Sequence, residues 1–344
     1  MNKILTAFLT DAQEYIIDPL KNGLIHESYL VKKSSQPCFV LQKINTGVFT
    51  HPEIVVNNQR KIQSELNSQD AAYPALTIVE TLHGDDHYTD DNQQAWRLFH
   101  YIKGSKSIEK VATVEHAFQT AGAFGRFTSL LQHLKMDTWL PTIPRFHDLS
   151  WRYQQWESSL ASAHPLKKEK ASALIASLQQ HLYLVEMFQT LQLTANIPLR
   201  WQHGDTKISN ILFNNITNEP LCVIDWDTVM PGYFISDLGD MVRTLCFSAG
   251  ENETALETIV WKPDYYDAIV AGYGAGAGLT ETEKKWIPFA GPFMIYQQAL
   301  RFLTDYLNGD CYYHIDYPGH NFDRASNQYH ILSIILEQVS LSFD

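Results

Sequence analysis

The stretch His203-Gly204-Asp205-Thr206-Lys207-Ile208-Ser209-Asn210 carries the strongest pattern in the chain, with its polar residues in the order H-x-D-x-K-x-x-N. Four residue types at fixed positions recur by chance at about one start in 160,000, or in on the order of one chain in 500 of this length. Asp205 and Asn210 are five residues apart, and the apolar run Ile211-Leu212-Phe213 follows at once. The pattern therefore predicts a polar loop that leads into a β-strand.

A second predicted strand ends in two acids. The run Leu221-Cys222-Val223-Ile224 is apolar, and the residues before it have a turn-like composition, so a β-hairpin is expected. Because a hairpin brings the outer ends of its strands together, it puts Asn210 beside Asp225, fifteen residues further on. Asp227, two residues later, is expected to face the same ion. The three oxygen-bearing side chains predict a metal site of the kind that Mg²⁺ prefers.

The order and spacing of these residues resemble the catalytic loop and metal-holding motif of protein kinases and their small-molecule relatives. Asp205 is the candidate that accepts the proton of an acceptor hydroxyl, and Lys207 is the candidate cation beside the transferring phosphate. His203 is expected to brace the loop. Gly204 stands where protein kinases usually have arginine, which argues against control by a phosphorylated activation segment. A capped acidic surface loop is the alternative interpretation.

A lysine in the first hundred residues is the candidate for holding phosphates. Phe39-Val40-Leu41-Gln42-Lys43 predicts a strand whose alternation puts Leu41 towards a base and Lys43 towards phosphate, on one face. A solvated surface lysine is the alternative. The sequence does not identify the acidic partner of Lys43, because neither Glu53 nor Glu65 on the helix predicted to follow is a clear candidate.

Two further segments are candidates for contacts with a nucleotide. The turn Asn22-Gly23-Leu24-Ile25-His26 is expected to cover the phosphates through Gly23, although it has one glycine where three are usual. In the connector Phe99-His100-Tyr101-Ile102, the backbone of Tyr101 and Ile102 is expected to hydrogen-bond adenine.

The periodicity of the chain predicts an α+β, protein-kinase-like fold with two lobes. Short β-type runs surround one helix in residues 1–103, which predicts a small antiparallel sheet. Apolar residues then recur at three- and four-residue intervals over residues 111–134, and again over 293–307 after a break at Gly291-Pro292. Residues 104–344 are therefore expected to form a large helical lobe that also carries the hairpin.

Composition limits the classes of partner. The 344 residues include 26 Lys and Arg against 38 Asp and Glu, and the net charge of −12 does not favour DNA, RNA or an anionic membrane surface. Cys38, Cys222, Cys246 and Cys311 lie far apart, which argues against a disulfide framework or a structural zinc site. With no run of 18 apolar residues, no membrane span is expected, and a cytoplasmic protein is predicted. The oligomeric state stays open.

Longer segments extend the similarity along nearly the whole chain. They are residues 22–31, 39–45, 96–105, 124–127, 143–148, 203–213, 222–232 and 300–307. In these segments the chain resembles the aminoglycoside phosphotransferase and choline kinase group, and within it the N-acetylhexosamine 1-kinases. Trp226, between the two acids, departs from that pattern, which has a smaller aliphatic residue there.

The resemblance implies a kinase-like fold, with ATP and Mg²⁺ as cofactors. It implies an amino-sugar substrate, the anomeric C1 hydroxyl of N-acetylglucosamine or N-acetylgalactosamine being phosphorylated. It also implies that Asp205 and Arg301 contact the sugar, with His26 and either Tyr312 or Tyr313 as further candidates.

Other interpretations stay open. The same fold accommodates kinases for choline, homoserine, an amino alcohol or an aminoglycoside, which the net charge allows and Arg301 opposes. A non-catalytic pseudokinase is opposed by the presence of Asp205, Asn210 and Asp225. For Arg301, the alternative role is a buried salt bridge with Asp305, one helical turn away.

Two pairs of residues outside these motifs have mainly structural interpretations. Asp237 and Asp240 are expected to cap the start of a helix, with a hydrogen bond between Asp240 and the loop, or a direct metal role, as alternatives. His147-Asp148 either lines the acceptor site or forms a turn.

Overall fold

The computed structural model describes residues 1–20, 25–193 and 196–341. The chain divides into two units. The sheet unit comprises residues 1–108, 130–144 and 210–230, and the helical unit comprises residues 109–129, 145–209 and 231–344. The boundary predicted at residues 103 and 104 stays a prediction, because the two units alternate along the chain.

Strands and helices have the following bounds in the described residues. The strands are β1 Tyr15–Leu20, β2 Glu27–Lys33, β3 Gln36–Lys43, β4 Ile78–Val79, β5 Tyr88–Thr89, β6 Ala95–His100, β7 Ser105–Ser107, β8 Arg200–Gln202, β9 Ile211–Asn214, β10 Pro220–Val223 and β11 Met230–Gly232. The helices are α1 Asn2–Leu5, α2 Pro52–Gln69, α3 Val114–Leu130, α4 Leu149–Ser162, α5 Pro165–Lys170, α6 Ser172–Gln179, α7 Tyr183–Leu193, α8 Ile235–Leu245, α9 Pro263–Ala277, α10 Glu281–Lys285, α11 Ile287–Asn308 and α12 His320–Gln338.

The sheet unit is built on an antiparallel sheet. Over the described residues its strands lie in the order β1-β2-β3-β6-β4, and β5 also pairs with β6. The register sets Leu41 opposite Leu98 and Gln42 opposite Arg97. Because residues directly opposite one another point to the same face, this register decides which side chains share an environment.

Different helices cover the two faces of this sheet. Leu41 packs with Ile4 and Leu5 of α1. On the opposite face, Val40 and Phe99 belong to a cluster that includes apolar residues of α2. Pro in the first turn starts α2, where its missing N–H leaves no hydrogen bond unmade. Alternation along β3 therefore separates the residues that face α1 from those that face α2.

The predicted hairpin also lies in the sheet unit. Strands β9 and β10 pair in antiparallel fashion, and β7 adds to the other edge of β9. The short connection between the strands has the polar, turn-forming composition that the sequence shows. The hairpin is confirmed, and its open end carries the two predicted acids.

Helix α11 is the central helix of the helical unit and packs against α4, α8 and α12. The break predicted at Gly291-Pro292 is wrong, because α11 runs through both residues. Pro292 lies inside the helix, where its ring removes the backbone hydrogen bond to residue 288, so packing against the neighbouring helices must maintain α11 there. A Cβ on Gly291 would lie 2.5 Å from Ile335 Cδ1 and 2.8 Å from Val242 Cγ1. Glycine thus allows α8 and α12 to approach α11 closely.

The α+β class is confirmed, with an antiparallel sheet in the N-terminal part and helices in the C-terminal part. Within the ranges given above, no helix combines the length and the apolar character that crossing a bilayer requires.

Candidate functional site

The loop that begins at His203 is held by a buried carboxylate on α8. Asp237 accepts the N–H of His203 at Oδ2 and the N–H of Gly204 at Oδ1, both at 2.8 Å. Burial raises the pKa of Asp237 to about 6, while His203 and the two N–H groups act against that rise. Gly204 has a φ of +81°, which glycine adopts without a Cβ penalty. The prediction that Asp237 caps a helix is wrong, because both of its oxygens hold the loop.

Asp240 fixes the next part of the same loop. Its Oδ2 accepts the N–H of Thr206 at 2.9 Å, which confirms the predicted bond to the loop. Arg243 donates to the other oxygen of Asp240 from Nε at 3.0 Å and from Nη2 at 2.8 Å. The hydroxyl of Thr206 donates to the carbonyl of Asp237 at 2.8 Å. Side chains of α8 thus bind backbone N–H groups on both sides of Asp205.

This support leaves Asp205 and Lys207 half-buried. Lys207 Nζ lies 2.6 Å from Asp205 Oδ2, and the two side chains are 31% and 26% exposed. The N–H of Asp205 donates to Nδ1 of His203 at 3.3 Å, and the buried His203 ring packs edge-on against Phe124 and Phe127. His203 thus braces the loop, and Asp205 is its solvent-accessible acid.

In the sheet unit, the hairpin register brings Asn210 and Asp225 to the same end. Val223 pairs with Ile211, and the N–H of Ile224 donates to the carbonyl of Asn210 at 2.8 Å. Asp225 follows with φ +62° and ψ +61°, a left-handed conformation that is uncommon outside glycine. The half-buried carboxylate of Asp225 and the amide of Asn210 are hard oxygen donors that suit Mg²⁺. Their metal role stays a prediction.

Asp227, the third predicted metal residue, has different surroundings. It is buried, and Arg97 of β6 donates to both of its oxygens at 2.8 and 2.6 Å. His26 Nε2 lies 2.8 Å from Oδ2. Ligand atoms of His26, Asp225 and Asp227 lie within 4.8 Å of one another. Arg97 is missing from the sequence-based candidates, although a charged residue inside the apolar run Ala95-Trp96-Arg97-Leu98-Phe99 signals a buried partner.

Lys43 pairs with a glutamate on the neighbouring strand. Its Nζ lies 2.7 Å from Glu27 Oε1, and the two residues are directly opposite in the register of β2 and β3. This acidic partner lies on a strand and not on α2. Alternation puts Lys43 on the face of Leu41, which α1 covers, whereas Gln42 and Arg97 point to the opposite face. A nucleotide role for Lys43 stays a prediction.

Of the other residues predicted to contact a nucleotide, the structure describes Tyr101 and Ile102. Gly23 lies outside the described residues. The N–H of Tyr101 donates to the carbonyl of Cys38 at 2.9 Å, which ties the connector to β3. The carbonyl of Ile102 accepts the hydroxyl of Ser105 at 2.6 Å. The N–H of Ile102 makes no hydrogen bond to any described residue, so it is available to a base.

Arg301 on α11 lies among aromatic rings of the helical unit. Its Cζ is 5.0 Å from the ring centre of Phe146, 5.6 Å from that of Tyr313 and 6.0 Å from that of Tyr312. Cations within about 6 Å of a ring centre are attracted by the ring quadrupole. Nη1 also donates to Gln298 Oε1 at 3.1 Å. In the described residues no carboxylate lies within ion-pair distance of this guanidinium.

Asp305 does not pair with Arg301, so the salt bridge considered from the sequence is wrong. Its Oδ1 accepts the N–H groups of Cys311 and Tyr312, and its Oδ2 accepts the N–H of Tyr313, all at 2.9 Å. The carboxylate therefore fixes the segment that holds both tyrosine rings near the guanidinium. Tyr312 stays 52% exposed, so its ring can contact a ligand.

Burial and the charges of neighbouring side chains change the pKa of His147. The ring stacks on Phe146 with centroids 4.4 Å apart. Burial lowers the pKa of His147 well below its usual value, the charges of Arg301 and Arg152 lower it further, and the charge of Asp205 opposes them. Burial, followed by the charge of Arg301, lowers the pKa of Arg152 to about 10. Arg301, Arg152 and the loop acid therefore all influence this imidazole, and so does Arg243, which pairs with Asp240 and Glu251. Arg152 is not among the sequence-based candidates.

Comparison with known proteins places the chain among phosphotransferases. Residues 16–284 match the family described as "Phosphotransferase enzyme family". A microcompartment-associated aminopropanol kinase is 16% identical, with 98% of this chain and 95% of that chain covered and a TM-score of 0.64. An aminoglycoside phosphotransferase from Alicyclobacillus acidocaldarius is 12% identical, with coverage of 98% and 96% and a TM-score of 0.63. A choline/ethanolamine kinase family protein from Mesorhizobium loti is 12% identical, with coverage of 97% and 92% and a TM-score of 0.56. At these identities the likeness establishes the protein-kinase-like fold.

We expect Asp237→Asn to loosen the loop. An amide has one acceptor oxygen, so one loop N–H loses its partner, and an unpaired buried donor costs about 1–3 kcal/mol. Urea unfolding should show this loss, and amide hydrogen exchange should accelerate over residues 203–206. Asp267→Asn, which changes an exposed acid on α9, is the matched control. Wild-type exchange in the Asp237 variant would mean that the carboxylate does not hold the loop.

Proposed function

The chain belongs to the phosphotransferase enzyme family, and on that premise we propose that it phosphorylates the anomeric C1 hydroxyl of an N-acetylhexosamine, with ATP as donor and Mg²⁺ as cofactor. As a member of this family, the chain is a small-molecule phosphotransferase. The observation that supports the choice of acceptor is the guanidinium of Arg301, which lies among the rings of Phe146, Tyr312 and Tyr313 and hydrogen-bonds Gln298.

Asp205 is proposed to take the proton of the acceptor hydroxyl. Its half-buried carboxylate is accessible, and the bonds to its loop fix its position. An anomeric hydroxyl is more acidic than an ordinary alcohol, so modest basicity suffices. Lys207, 2.6 Å from this carboxylate, is proposed to add positive charge beside the transferred phosphate.

Residues of the sheet unit are proposed to hold the nucleotide and the metal. Asn210 and Asp225 offer oxygen ligands at one end of the hairpin, and Mg²⁺, when bound, neutralises charge on the phosphates. The available N–H of Ile102 and the backbone of Tyr101 are proposed to bind the base. Structures of related fold are described as complexes with AMP, ADP or GDP, which supports a nucleotide as the donor here.

The acceptor is proposed to be a neutral sugar rather than an amine. Arg301 has a planar set of donors, and only Gln298 accepts from it among the described side chains, so donors remain for hydroxyl and acetamido oxygens. The exposed ring of Tyr312 offers a face for a sugar ring. An ammonium group would meet the like charges of Arg301 and Arg152 in a region that is partly shielded from water.

An acceptor screen tests the substrate class. ADP release should be highest with N-acetylglucosamine or N-acetylgalactosamine and low with choline, homoserine, 1-amino-2-propanol and kanamycin. Phosphorus NMR of the product should show a sugar 1-phosphate. Activity confined to the amines would refute the sugar assignment while keeping the phosphotransferase.

Asp205→Asn should lower turnover by about 10²–10⁴-fold, because the amide cannot accept the hydroxyl proton. Circular dichroism and the unfolding midpoint should remain those of the wild type, since the bonds that hold the loop come from α8. Turnover within a few-fold of wild type would remove the proposed role of Asp205.

Arg301→Gln should raise KM for the sugar by roughly 10–100-fold, as expected for the loss of charged hydrogen bonds, and should leave KM for ATP nearly unchanged. The control is Arg60→Gln, since Arg60 pairs with Glu80 and Asp86 on the sheet unit. Equal changes in the two KM values would show that Arg301 supports the fold and does not bind the acceptor.

A further inference from the structure

The second acid of the Asp225-Trp226-Asp227 turn has hydrogen-bond partners on both of its oxygens. Arg97 Nη1 donates to Oδ1 of Asp227 at 2.8 Å and Nη2 donates to Oδ2 at 2.6 Å. The side chains of both residues are 2% exposed. Three of the roughly four lone-pair directions of the carboxylate are used once His26 is added. Little of Asp227 therefore remains for a metal ion.

The tautomer of His26 follows from its two neighbours. Nδ1 accepts the N–H of Asn45 at 3.0 Å, so it carries no proton. The proton of the neutral ring is then on Nε2, which donates it to Asp227 Oδ2 at 2.8 Å. Both ring nitrogens are used, and the ring stacks on Phe49 with centroids 5.2 Å apart. His26 thus offers no lone pair to a metal ion and no donor to a sugar.

The charge of Asp227 is balanced inside the protein. The buried guanidinium of Arg97 lies against both of its oxygens, so the compensating positive charge is in direct contact with the carboxylate. A dication bound to the same carboxylate would lie beside the guanidinium and be repelled by it. Asp225, in contrast, is half-buried, and neither of these donors bonds to it.

Arg97 is itself fixed to the sheet. Gln42 Oε1 accepts from its Nε at 2.9 Å and from its Nη2 at 2.5 Å, and Gln42 lies directly opposite on β3. The hydroxyl of Thr142 donates to the backbone carbonyl of Asp227, which adds a second anchor. A series of hydrogen bonds therefore connects Gln42 on β3, through Arg97, to Asp227. Asp227 lies two positions after Asp225.

We propose that Asp227 is a positioning residue and not a metal ligand: with Arg97 and His26 it fixes the turn in which Asp225 offers its carboxylate to the metal. Asp225 is in a left-handed conformation, which costs a residue with a Cβ free energy, and contacts that hold the turn offset that cost. The inference rests on the proposed function, because it assumes that Asp225 binds the Mg²⁺ used with ATP.

Three variants separate a positioning role from a ligand role. Asp227→Asn leaves the Arg97 guanidinium buried without its counter-charge, so the midpoint of thermal unfolding of the metal-free protein should fall by roughly 5–15 °C. The double variant Arg97→Gln with Asp227→Asn removes both charges and should recover much of that loss. Asp225→Asn should leave the metal-free midpoint near that of the wild type and should abolish Mg²⁺-dependent binding of ADP.

Calorimetry with ADP, with and without Mg²⁺, provides the deciding measurement. The double variant should bind Mg·ADP with a Kd within about ten-fold of the wild type, the lower end of what outer-shell changes cause at metal sites. The control is Arg200→Gln with Glu283→Gln, which removes a buried ion pair of the helical unit. It should lower the unfolding midpoint and leave the Kd for Mg·ADP unchanged.

The outcomes of these measurements test the positioning role of Asp227 separately from the proposed kinase function. A double variant that loses Mg·ADP binding as completely as Asp225→Asn would make Asp227 a ligand and overturn the inference, while the kinase would stand. A wild type that binds no Mg·ADP would remove the proposed function and the inference together. Mg·ADP binding that survives in the double variant and is lost in Asp225→Asn supports both.

Discussion

A carboxylate can leave water only where hydrogen-bond donors and positive charge replace its hydration, and this constraint shapes both units. In the helical unit, Asp237 accepts two loop N–H groups. In the sheet unit, Asp227 accepts from Arg97. The bonds that compensate for burial also fix a turn that carries a more accessible acid, Asp205 in the first case and Asp225 in the second. The geometry of each turn is therefore tied to the stability of its unit.

The four acids differ in burial, and burial limits which of them can bind a ligand. Asp227 and Asp237 are buried with both oxygens in fixed bonds, so a ligand would have to displace the donors that already bind them. Asp205 and Asp225 are half-buried and can exchange water for a ligand at small desolvation cost. The acids proposed to act on substrate and metal are thus the accessible ones. In the proposed assignment, the two acids of the Asp225-Trp226-Asp227 turn are therefore one metal ligand and one anchor.

The sequence predicts what depends on local pattern. Strand β3, the hairpin and the approach of Asn210 to Asp225 all follow from apolar runs and a turn, because the register of a hairpin is set by its own loop. The ion pair of Arg97 and Asp227 joins residues 130 positions apart, and it depends on which face of the sheet each strand presents. The alternative role of Arg301, a salt bridge with Asp305, is wrong for another reason: Asp305 accepts hydrogen bonds from three backbone N–H groups. Spacing along a helix shows that an ion pair is possible. It does not show whether the carboxylate binds the arginine or nearby backbone N–H groups instead.

Net charge and local charge point in opposite directions in this chain. The total of −12 is compatible with a cationic acceptor, but recognition depends on charges within about 8 Å, beyond which salt screens them. Around His147 the charges include Arg301, Arg152 and Asp205, and the imidazole adds none because its pKa is lowered. Arg243 also acts on this imidazole, but Asp240 and Glu251 pair with it, so Arg301 and Arg152 are the guanidinium groups proposed to face the acceptor. A neutral sugar satisfies their donors with oxygens and adds no charge, whereas an ammonium group would need a further acid to balance it.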